Sequence, residues 1–460
     1  MTTGIPLAKR LAVWAASSPR IQDSEPVSMA SNAFFDTFAC MFGGLRNEAV
    51  QQLITTIAGW QGNGNASVFG SKSRFASPFA ALVNGTAAHA LDFDDNYIPA
   101  FTHCSAVMVP ALMAIGEVND ASGIDLIDAY TVGADLHTRI GLLVNPGHFN
   151  RGWHSTATVG TIGTAGACAR LLGLNAEKTC AAMSIGFSLA AGSKVQFGSM
   201  MKPIHAGLAA QHAVMAAEMA AAGISAQPGF LTGPQSFQEL YGENDPAREP
   251  LALQGLGEQL CLPQFGLLVK RFPCCGSAHK TLDGLLQLRQ EHKLEPHAIQ
   301  TVRSWLPETM SKNLKFSRPV NDMEARFSLH YNAARILQDG RLSLQHFSNE
   351  AVNDPGIQHL LEKIHQETIP DPPDMNLATP LLTRIEMEDG KIHEIEISHL
   401  KGSLQHPLSR EDFIEKLNDC RQFSGLEALP EPTLRLLESF DQVPGIRNLV
   451  QKLQETIDCD

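Results

Sequence analysis

Apolar residues in the first 260 positions of the chain recur at three- and four-residue spacing, as on one face of an α-helix. This period predicts helices over residues 28–42, 48–60, 78–91, 110–117, 122–143, 156–172, 175–193 and 205–223. Alanine and glycine recur within these segments, most clearly in 156–172 (TATVGTIGTAGACARLL). Because small side chains allow helices to approach closely, the pattern indicates a bundle of tightly packed helices.

After residue 265 the pattern changes to short segments in which apolar and polar residues alternate, as in strands. Strand-like alternation occurs at 299–306, 384–388 and 391–397, and helical periods occur at 279–291, 325–337 and 356–364. The dipeptide Asp389-Gly390 separates two of the alternating segments and favours a hairpin turn. Ser409 and Asp412 have the spacing of a capping box at the start of a C-terminal helix.

These patterns predict a mainly α protein with a large all-helical domain and a smaller α+β domain. The expected boundaries are 1–266 and 401–460 for the discontinuous helical domain and 267–400 for the α+β domain. A chain of 460 residues is too long for one ordinary hydrophobic core, which also favours two domains.

Composition narrows the classes of function. The formal net charge of −13 argues against non-specific binding to nucleic acid or to an anionic membrane, but a local basic pocket could still bind a small anion. No apolar run is long enough to span a membrane, and the N-terminus lacks a signal-peptide pattern. The nine cysteines are scattered without a CxxC motif, which fits a reducing compartment. We therefore expect a cytoplasmic protein.

One acidic segment concentrates groups that can transfer protons. His89, Asp92, Asp94 and Asp95 lie at the end of a predicted helix, and His103 follows shortly afterwards. Carboxylates at a helix C-terminus oppose the helix dipole, and such a conflict is tolerated more often where function requires it. The alternative interpretation is a solvated turn in which His103 caps a neighbouring group.

Two further clusters lie in the predicted helical domain. Arg151 and His154 precede a small-residue helix, whose N-terminal amides favour anions; the alternative is a structural histidine. Lys202 precedes the predicted helix 205–223, and Pro203 suits the first position of a helix. A bound anion would relieve the conflict between this lysine and the helix dipole, while the alternative is an ordinary surface lysine.

Two more clusters lie in the predicted α+β domain. Lys270 and Arg271 lead into the vicinal Cys274 and Cys275; we expect one thiol in the core and the other at a pocket. The segment 326–331 has the pattern of an amphipathic helix start, where core and capping roles are favoured. The chain has no Walker A loop, dinucleotide-binding loop, HExxH motif or metal-spaced histidine pair. The sequence therefore predicts no cofactor and no metal.

Taken together, these clusters predict a cationic pocket with aspartate and histidine acid–base groups. Histidine exchanges a proton near neutral pH because its ordinary pKa is about 6.5. Lysines would bind carboxylates and stabilise the enolate-like charge that forms when a proton leaves the adjacent carbon. We expect proton transfer at a carbon α to a carboxylate, on a small anionic polycarboxylate substrate.

Six segments occur in an order that resembles the MmgE/PrpD family, over nearly the whole chain. They are VNGTAAHALDFDD, RGWHSTATVGTIGTA, GSMMKPIHAGLAAQ, KRFPCCGSAHKTLDGL, ARFSLHYNAARIL and KGSLQHPLS. The resemblance implies a large helical domain completed by C-terminal helices, a smaller α+β domain and a homodimer. Members of the family include 2-methylcitrate dehydratase, cis-aconitate decarboxylase and iminodisuccinate epimerase.

The resemblance also implies roles for individual residues. The positions that match catalytic residues of decarboxylase-like members are Asp92, His103, His154, Lys202 and Lys270. The positions expected to contact substrate are Asn96, Arg151, Arg271 and Cys275. In the mechanism that we expect, Lys202, Lys270 and Arg271 hold the substrate carboxylates. His154 and either a lysine or His103 flank the α-carbon, and Asp92 orients His103.

Two positions differ from the decarboxylase pattern: Asn96 replaces a threonine, and Cys275 replaces a second histidine. These differences favour a reaction other than decarboxylation. We expect an epimerase of an imino- or amino-dicarboxylate such as iminodisuccinate, with acid and base groups on opposite faces of the substrate. A hydro-lyase of the 2-methylcitrate dehydratase type is the alternative, ahead of cis-aconitate decarboxylation and of non-catalytic carboxylate binding.

Overall fold

A computed structural model of the chain describes residues 5–60, 64–372 and 379–457. The chain divides into two compact units. The helical unit consists of Met1–Ala90, Asp94–Leu268 and Lys416–Asp460, and the mixed unit consists of Leu91–Phe93 and Val269–Glu415. The predicted mainly α fold with a smaller α+β part is confirmed. The domain boundaries expected from the sequence, at 266/267 and 400/401, stay predictions.

The first part of the helical unit consists of helices and one short hairpin. The helices are α1 (Leu7–Ser17), α2 (Ser24–Gly44), α3 (Glu48–Ala58), α4 (Ser77–His89), α5 (Cys104–Asn119), α6 (Gly123–Val144), α7 (Gly147–Asn150), α8 (Ser155–Leu171), α9 (Ala176–Leu189), α10 (Met201–Ala221), α11 (Phe237–Tyr241), α12 (Arg248–Leu253) and α13 (Cys261–Phe265). Strands β1 (Ala66–Ser67) and β2 (Arg74–Phe75) form the antiparallel hairpin.

Small residues explain how closely these helices pack. A Cβ atom added to Gly207 of α10 would lie 2.2 Å from the carbonyl oxygen of Leu82 on α4, so only glycine fits at this crossing. A Cβ atom added to Gly85 of α4 would lie 3.0 Å from the Cα atom of Gly207, so the two glycines face each other at the crossing. The predicted bundle of closely packed helices is therefore present, and helix α8 is buried at every residue from Ser155 to Ala169.

Two predicted helix starts in this unit are wrong. Helix α5 begins at Cys104, well before residue 110, and contains Pro110. The helix is buried from Cys104 to Glu117, and this tertiary packing outweighs the hydrogen bond that proline cannot make. Helix α10 begins at Met201, so Lys202 lies inside its first turn instead of before it, and Pro203 is its third residue instead of its first.

The mixed unit contains one four-stranded sheet with helices. Its helices are α14 (His279–His292), α15 (Glu308–Asn313), α16 (Asp322–Arg326), α17 (Leu329–Asp339), α18 (Asn349–Val352) and α19 (Pro355–Leu361). Its strands are β3 (Ile299–Pro307), β4 (Ile364–Ile369), β5 (Leu381–Met387) and β6 (Ile392–Ile397), in the order β4-β3-β5-β6. The β3–β4 pair is parallel and the other two pairs are antiparallel. The predicted hairpin is confirmed, with Gly390 at φ +83° in its turn.

Two helix predictions in the mixed unit need correction. The segment 325–337 forms parts of two helices, because the Ser328 hydroxyl accepts from the Tyr331 N–H at 3.0 Å and begins α17 there. The predicted helix 356–364 ends at Leu361, and Ile364 begins β4, a strand that the periodicity did not reveal.

The C-terminal helices α20 (Arg410–Phe423), α21 (Glu431–Glu438) and α22 (Ile446–Gln454) complete the described chain. The predicted capping box is present, since the Ser409 N–H donates to Asp412 Oδ2 at 2.7 Å. Lys416 Nζ lies 2.6 Å from Asp36 Oδ1, and this buried ion pair ties α20 to α2 within the helical unit. Across residues 5–60, 64–372 and 379–457, no helix has the length and apolar character needed to cross a bilayer.

Candidate active site

Two imidazoles and one carboxylate meet where the chain leaves α4 and enters α5. His89 is the last residue of α4, and His103 is the N-cap of α5. Asp94 Oδ2 lies 2.8 Å from His89 Nδ1 and 3.1 Å from His103 Nδ1, so one carboxylate oxygen can accept from both rings. His103 Nδ1 also lies 2.8 Å from the carbonyl oxygen of Asp95. With Nδ1 as the donor, each ring keeps Nε2 as its proton acceptor.

Burial sets the protonation states of this group. Burial lowers the pKa of His89 from 6.5 to about 4, although Asp94 acts in the opposite direction. Burial by itself would raise the pKa of Asp94, but the His89 and His103 rings outweigh it and hold that pKa well below its usual range. At neutral pH His89 is therefore neutral beside an ionised carboxylate. Within the described residues, His89 Nε2 and Asp94 Oδ1 are buried without a hydrogen-bond partner.

The pKa of Asp95, the next residue, is shifted in the opposite direction. Burial raises the pKa of its carboxyl group from 3.8 to about 7. The carboxyl group accepts from the Ser105 hydroxyl, whose oxygen lies 2.6 Å from the Tyr130 hydroxyl. The pKa values of two adjacent carboxyl groups thus move apart, because only the Asp94 carboxylate has imidazole partners.

Asp95→Asn should stabilise the protein more at alkaline than at acidic pH. The folded-state pKa lies above the usual 3.8, so the folded state binds this proton more tightly and stability falls as the pH rises from 3.8 to about 7. Asparagine keeps an acceptor for Ser105 without a buried charge. The free energy of unfolding of the variant relative to wild type should therefore grow by on the order of 3 kcal/mol between pH 5 and pH 8.

Urea unfolding at the two pH values measures this difference. Asp23→Asn, at an exposed carboxylate of the same unit, is the matched control and should give the same difference from wild type at both pH values. A pH-independent difference for Asp95→Asn would mean that Asp95 is ionised in the folded protein.

His154 lies at the N-cap of α8 and is 2% exposed. Its ring centre lies 6.0 Å from that of His89, and its Nδ1 lies 3.1 Å from Nδ1 of His205 on α10. The Phe197 ring packs against it edge-on, with the ring centres 4.9 Å apart. Burial lowers the pKa of His154 well below its usual range, and nearby His89 and Lys202 act in the same direction. His154 is therefore a neutral base at physiological pH.

Lys202 brings positive charge to the same place. It is the second residue of α10, it is buried, and its ammonium nitrogen lies 5.6 Å from the centre of the Phe197 ring. Its charge contributes to the lowered pKa values of both His89 and His154. Because a cation in the first turn of a helix adds to the positive end of the helix dipole, this position attracts anions.

The helical unit therefore contains a histidine cluster, which we define as His89, Asp94, His103, His154, Lys202 and His205. Three of its members, His103, His154 and Lys202, were predicted as catalytic. Asp94 is the carboxylate within hydrogen-bond distance of His103 Nδ1, and the role expected of Asp92, the orientation of His103, stays a prediction. His89 and Asp94 were recognised only as part of the acidic segment, where their five-residue spacing at a helix end was the available signal.

Asp92 and Lys270 pair with each other inside the mixed unit. Lys270 Nζ lies 3.0 Å from Asp92 Oδ2 and donates to the Asp92 carbonyl oxygen at 2.6 Å. Asp92 has φ +53°, a left-handed conformation that costs a non-glycine residue about 1 kcal/mol. The buried Arg326 donates to the Leu91 carbonyl oxygen at 2.7 Å. Two buried cations thus hold the segment Leu91–Phe93 in its unusual conformation.

The predicted substrate-binding residues have diverse surroundings. Burial, together with the charge of Asp92, raises the pKa of Cys275, so this thiol is neutral. Arg271 pairs with Asp283 at 2.9 Å, and Arg151 donates to a backbone carbonyl. The backbone of Asn96 forms an isolated antiparallel bridge with Leu268. Both arginines therefore have structural partners, and contact of these four residues with substrate stays a prediction.

His89, Asp94 and His103 are also, among the described residues, a set that could hold a metal ion. One ligand atom from each lies within 4.8 Å of the others. Two imidazoles and a carboxylate would suit zinc or non-haem iron. A cation bound through the two Nδ1 atoms would have to replace the protons that bridge them to Asp94, so the observed contacts suit hydrogen bonding better.

We expect dialysis against EDTA to leave turnover undiminished, because the contacts of Asp94 are those of a hydrogen-bonded carboxylate. Metal analysis of the purified protein by mass spectrometry is the accompanying measurement. A loss of activity that returns on addition of one particular metal would contradict this expectation and assign the set to that metal.

Family models place the chain among known proteins. The model described as the MmgE/PrpD N-terminal domain matches residues 9–249, and the model described as the MmgE/PrpD C-terminal domain matches residues 272–427. The chain belongs to the MmgE/PrpD family. The whole histidine cluster lies within the first match and Cys275 within the second, while Lys270 falls between the two.

Among MmgE/PrpD relatives, the chain is similar to a cis-aconitate decarboxylase of Homo sapiens. The identity is 28% over 445 residues, which cover 94% of this chain and 88% of the human protein. It is also similar to a cis-aconitate decarboxylase of Aspergillus terreus, with 25% identity over 469 residues that cover 95% of this chain and 92% of the fungal protein. The resemblance derived from the six sequence segments is thus confirmed at the level of the family.

Proposed function

We propose that the protein transfers protons at a carbon atom next to a carboxylate of a small di- or tricarboxylate, without a cofactor. The observation that carries this proposal is the buried histidine cluster. In it, a neutral imidazole can take a proton, and the imidazolium that results can return one. Lys202 attracts the anionic substrate and stabilises the negative charge that develops beside the reacting carbon.

Loss of carbon dioxide from an unsaturated tricarboxylate is the reaction we propose first. The human and A. terreus relatives are named cis-aconitate decarboxylases, and this chain keeps His103, His154 and Lys202 at the positions that the family resemblance assigns to their chemistry. When the carbon–carboxylate bond breaks, its electron pair stays on the substrate and carbon dioxide leaves. One proton from solvent, relayed through a histidine of the cluster, then takes the place of the lost carboxylate, so the product has one carboxylate fewer.

Epimerisation of an imino-dicarboxylate such as iminodisuccinate is the second candidate, and Cys275 favours it. At this position the decarboxylase pattern has an imidazole, whereas the buried Cys275 offers a neutral thiol. An epimerase removes a proton from one face of the α-carbon and returns one to the other face, which needs only two acid–base groups. A hydro-lyase of the 2-methylcitrate dehydratase type would in addition have to protonate a departing hydroxyl group.

NMR in deuterated buffer distinguishes these reactions. The protein is incubated separately with cis-aconitate, 2-methylcitrate and each stereoisomer of iminodisuccinate. Decarboxylation gives a product with one carboxylate fewer and one deuterium, dehydration gives an alkene, and epimerisation gives inverted substrate with deuterium on the α-carbon. If all three ligands bound without conversion or exchange, the proposal would fail and a carboxylate-binding protein would be favoured.

We also propose that the protein works in the cytoplasm and forms a homodimer. The homodimer is the assembly that the family resemblance implies. Sedimentation velocity should then give twice the chain mass of 49.8 kDa. A species at the chain mass that retains full turnover would refute the dimer without affecting the proposed chemistry.

A further inference from the structure

A polar cavity of the helical unit lies at the other end of α5 from the histidine cluster. Its volume is about 960 Å³, which is within the range of small-molecule sites. Glu117 in the last turn of α5 lines the cavity, whereas His103 caps the first turn of the same helix. At 1.5 Å per helical residue, these two positions are about 20 Å apart. The cavity is therefore separate from the candidate active site.

Among the described residues that line this cavity, positive charges outnumber negative ones. The cationic side chains that line it are Arg46, Lys72, Arg74 and Arg447, and the carboxylates are Glu117 and Glu455. Glu117 is already fully engaged: it pairs with Arg74 at 2.6 Å and accepts from the backbone N–H and hydroxyl of Ser67 at 2.7 and 2.8 Å. In the part of the chain that the structure describes, Arg46 and Lys72 have no ion-pair partner. Their charges remain available to an anion.

The other lining groups define the chemistry of the ligand. They are the hydroxyl and amide side chains of Ser67, Ser71, Ser73, Gln451 and Gln454, and the apolar side chain of Ile457. These hydroxyl and amide groups can donate hydrogen bonds to anionic oxygens. The lining residues within the described part of the chain include no aromatic ring, so they offer a flat heterocyclic ligand no stacking partner. The site suits a compact ligand with several charged oxygens.

We infer that this cavity binds a small polyvalent anion, either a tricarboxylate or a pyrophosphate-like compound, at a second site of the protein. The anion bridges Arg46 after α2, Lys72 between β1 and β2, and Arg447 on α22, which are far apart in the sequence. Because binding to the folded state alone raises its stability, the ligand should increase the melting temperature.

Thermal unfolding with citrate and with pyrophosphate, against sodium chloride of equal ionic strength, tests the inference. We expect wild type to melt about 2 to 3 °C higher when the ligand is present at a hundred times its Kd. The double variant Arg46→Ala/Lys72→Ala should bind the anion at least tenfold more weakly. The matched control Lys9→Ala/Arg10→Ala removes two exposed cations from α1 and should respond like wild type.

The experiments with citrate and with pyrophosphate identify the class of ligand. A rise in melting temperature with citrate alone indicates a tricarboxylate, and a rise with pyrophosphate alone indicates a phosphorylated compound. A third variant, Lys202→Ala, removes a cation of the histidine cluster and should keep the part of the response that depends on Arg46 and Lys72. The inference is overturned if neither anion raises the melting temperature. It is also overturned if Arg46→Ala/Lys72→Ala responds as fully as wild type, or if the response disappears in Lys202→Ala instead. None of these measurements depends on turnover, so they stand whether or not the proposed function is correct.

Discussion

Asp94→Asn should lower kcat by at least about a hundredfold while the protein remains folded. One oxygen of this carboxylate lies within hydrogen-bond distance of Nδ1 of both His89 and His103. Asparagine has the same shape but no charge, so it can neither accept equally from both rings nor stabilise a ring that has taken up a proton. The rings then lose the tautomer that leaves Nε2 as the acceptor.

Steady-state kinetics on the substrate found by NMR measures this effect. Because Asp94 acts through the two imidazoles, kcat should fall far more than KM rises, and the pH profile should shift as the histidines lose a negative neighbour. Asp128→Asn is the matched control, since it removes a carboxylate that pairs with Arg170 at 2.7 Å in the same unit. Similar losses of kcat in both variants would show that the effect of Asp94 is structural.

Much of the helical fold could be predicted because its cause is local. The small-residue segment 156–172 indicated a helix that the structure has as Ser155–Leu171, since glycine and alanine at helical spacing are needed wherever helices cross closely. Strand β4 (IHQETI) could not be found in the same way. It begins shortly after a helix, has polar residues at its centre, and owes its conformation to pairing with β3, more than fifty residues earlier.

In the candidate site, too, local features could be predicted from the sequence, whereas features that depend on tertiary contacts could not. The sequence located an acidic segment and gave the orientation of His103 to Asp92, whereas the carboxylate described beside His103 Nδ1 is that of Asp94. The left-handed backbone at Asp92, which sets where the following residues point, has no signal in the sequence. The partner of Asp92, Lys270, lies 178 residues away, and that of His154, His205, lies 51 residues away. Such pairs depend on tertiary contacts that spacing along one chain does not encode.

His154→Gln should lower kcat by about 10² to 10⁴, the usual contribution of a general acid or base. Glutamine keeps a polar side chain of similar length at the N-cap of α8 but cannot take up a proton near neutral pH.

In wild type, the pKa of His154 is well below its usual range, and that of His89 is about 4. Both rings are therefore already neutral at mildly acidic pH, and kcat/KM should stay level from pH 8 down to near pH 5.

The residual reaction of His154→Gln also reports on the choice between the proposed reactions. In an epimerase, loss of one of two bases should stop inversion but allow the other base to exchange deuterium into substrate of unchanged configuration. In a decarboxylase no such exchange is expected, and the rate of carbon dioxide release alone should fall. His212→Gln, which replaces another partly buried histidine of α10 outside the histidine cluster, is the matched control and should keep wild-type kinetics. If His154→Gln behaves like that control, proton transfer must be assigned to His89 and His103 alone.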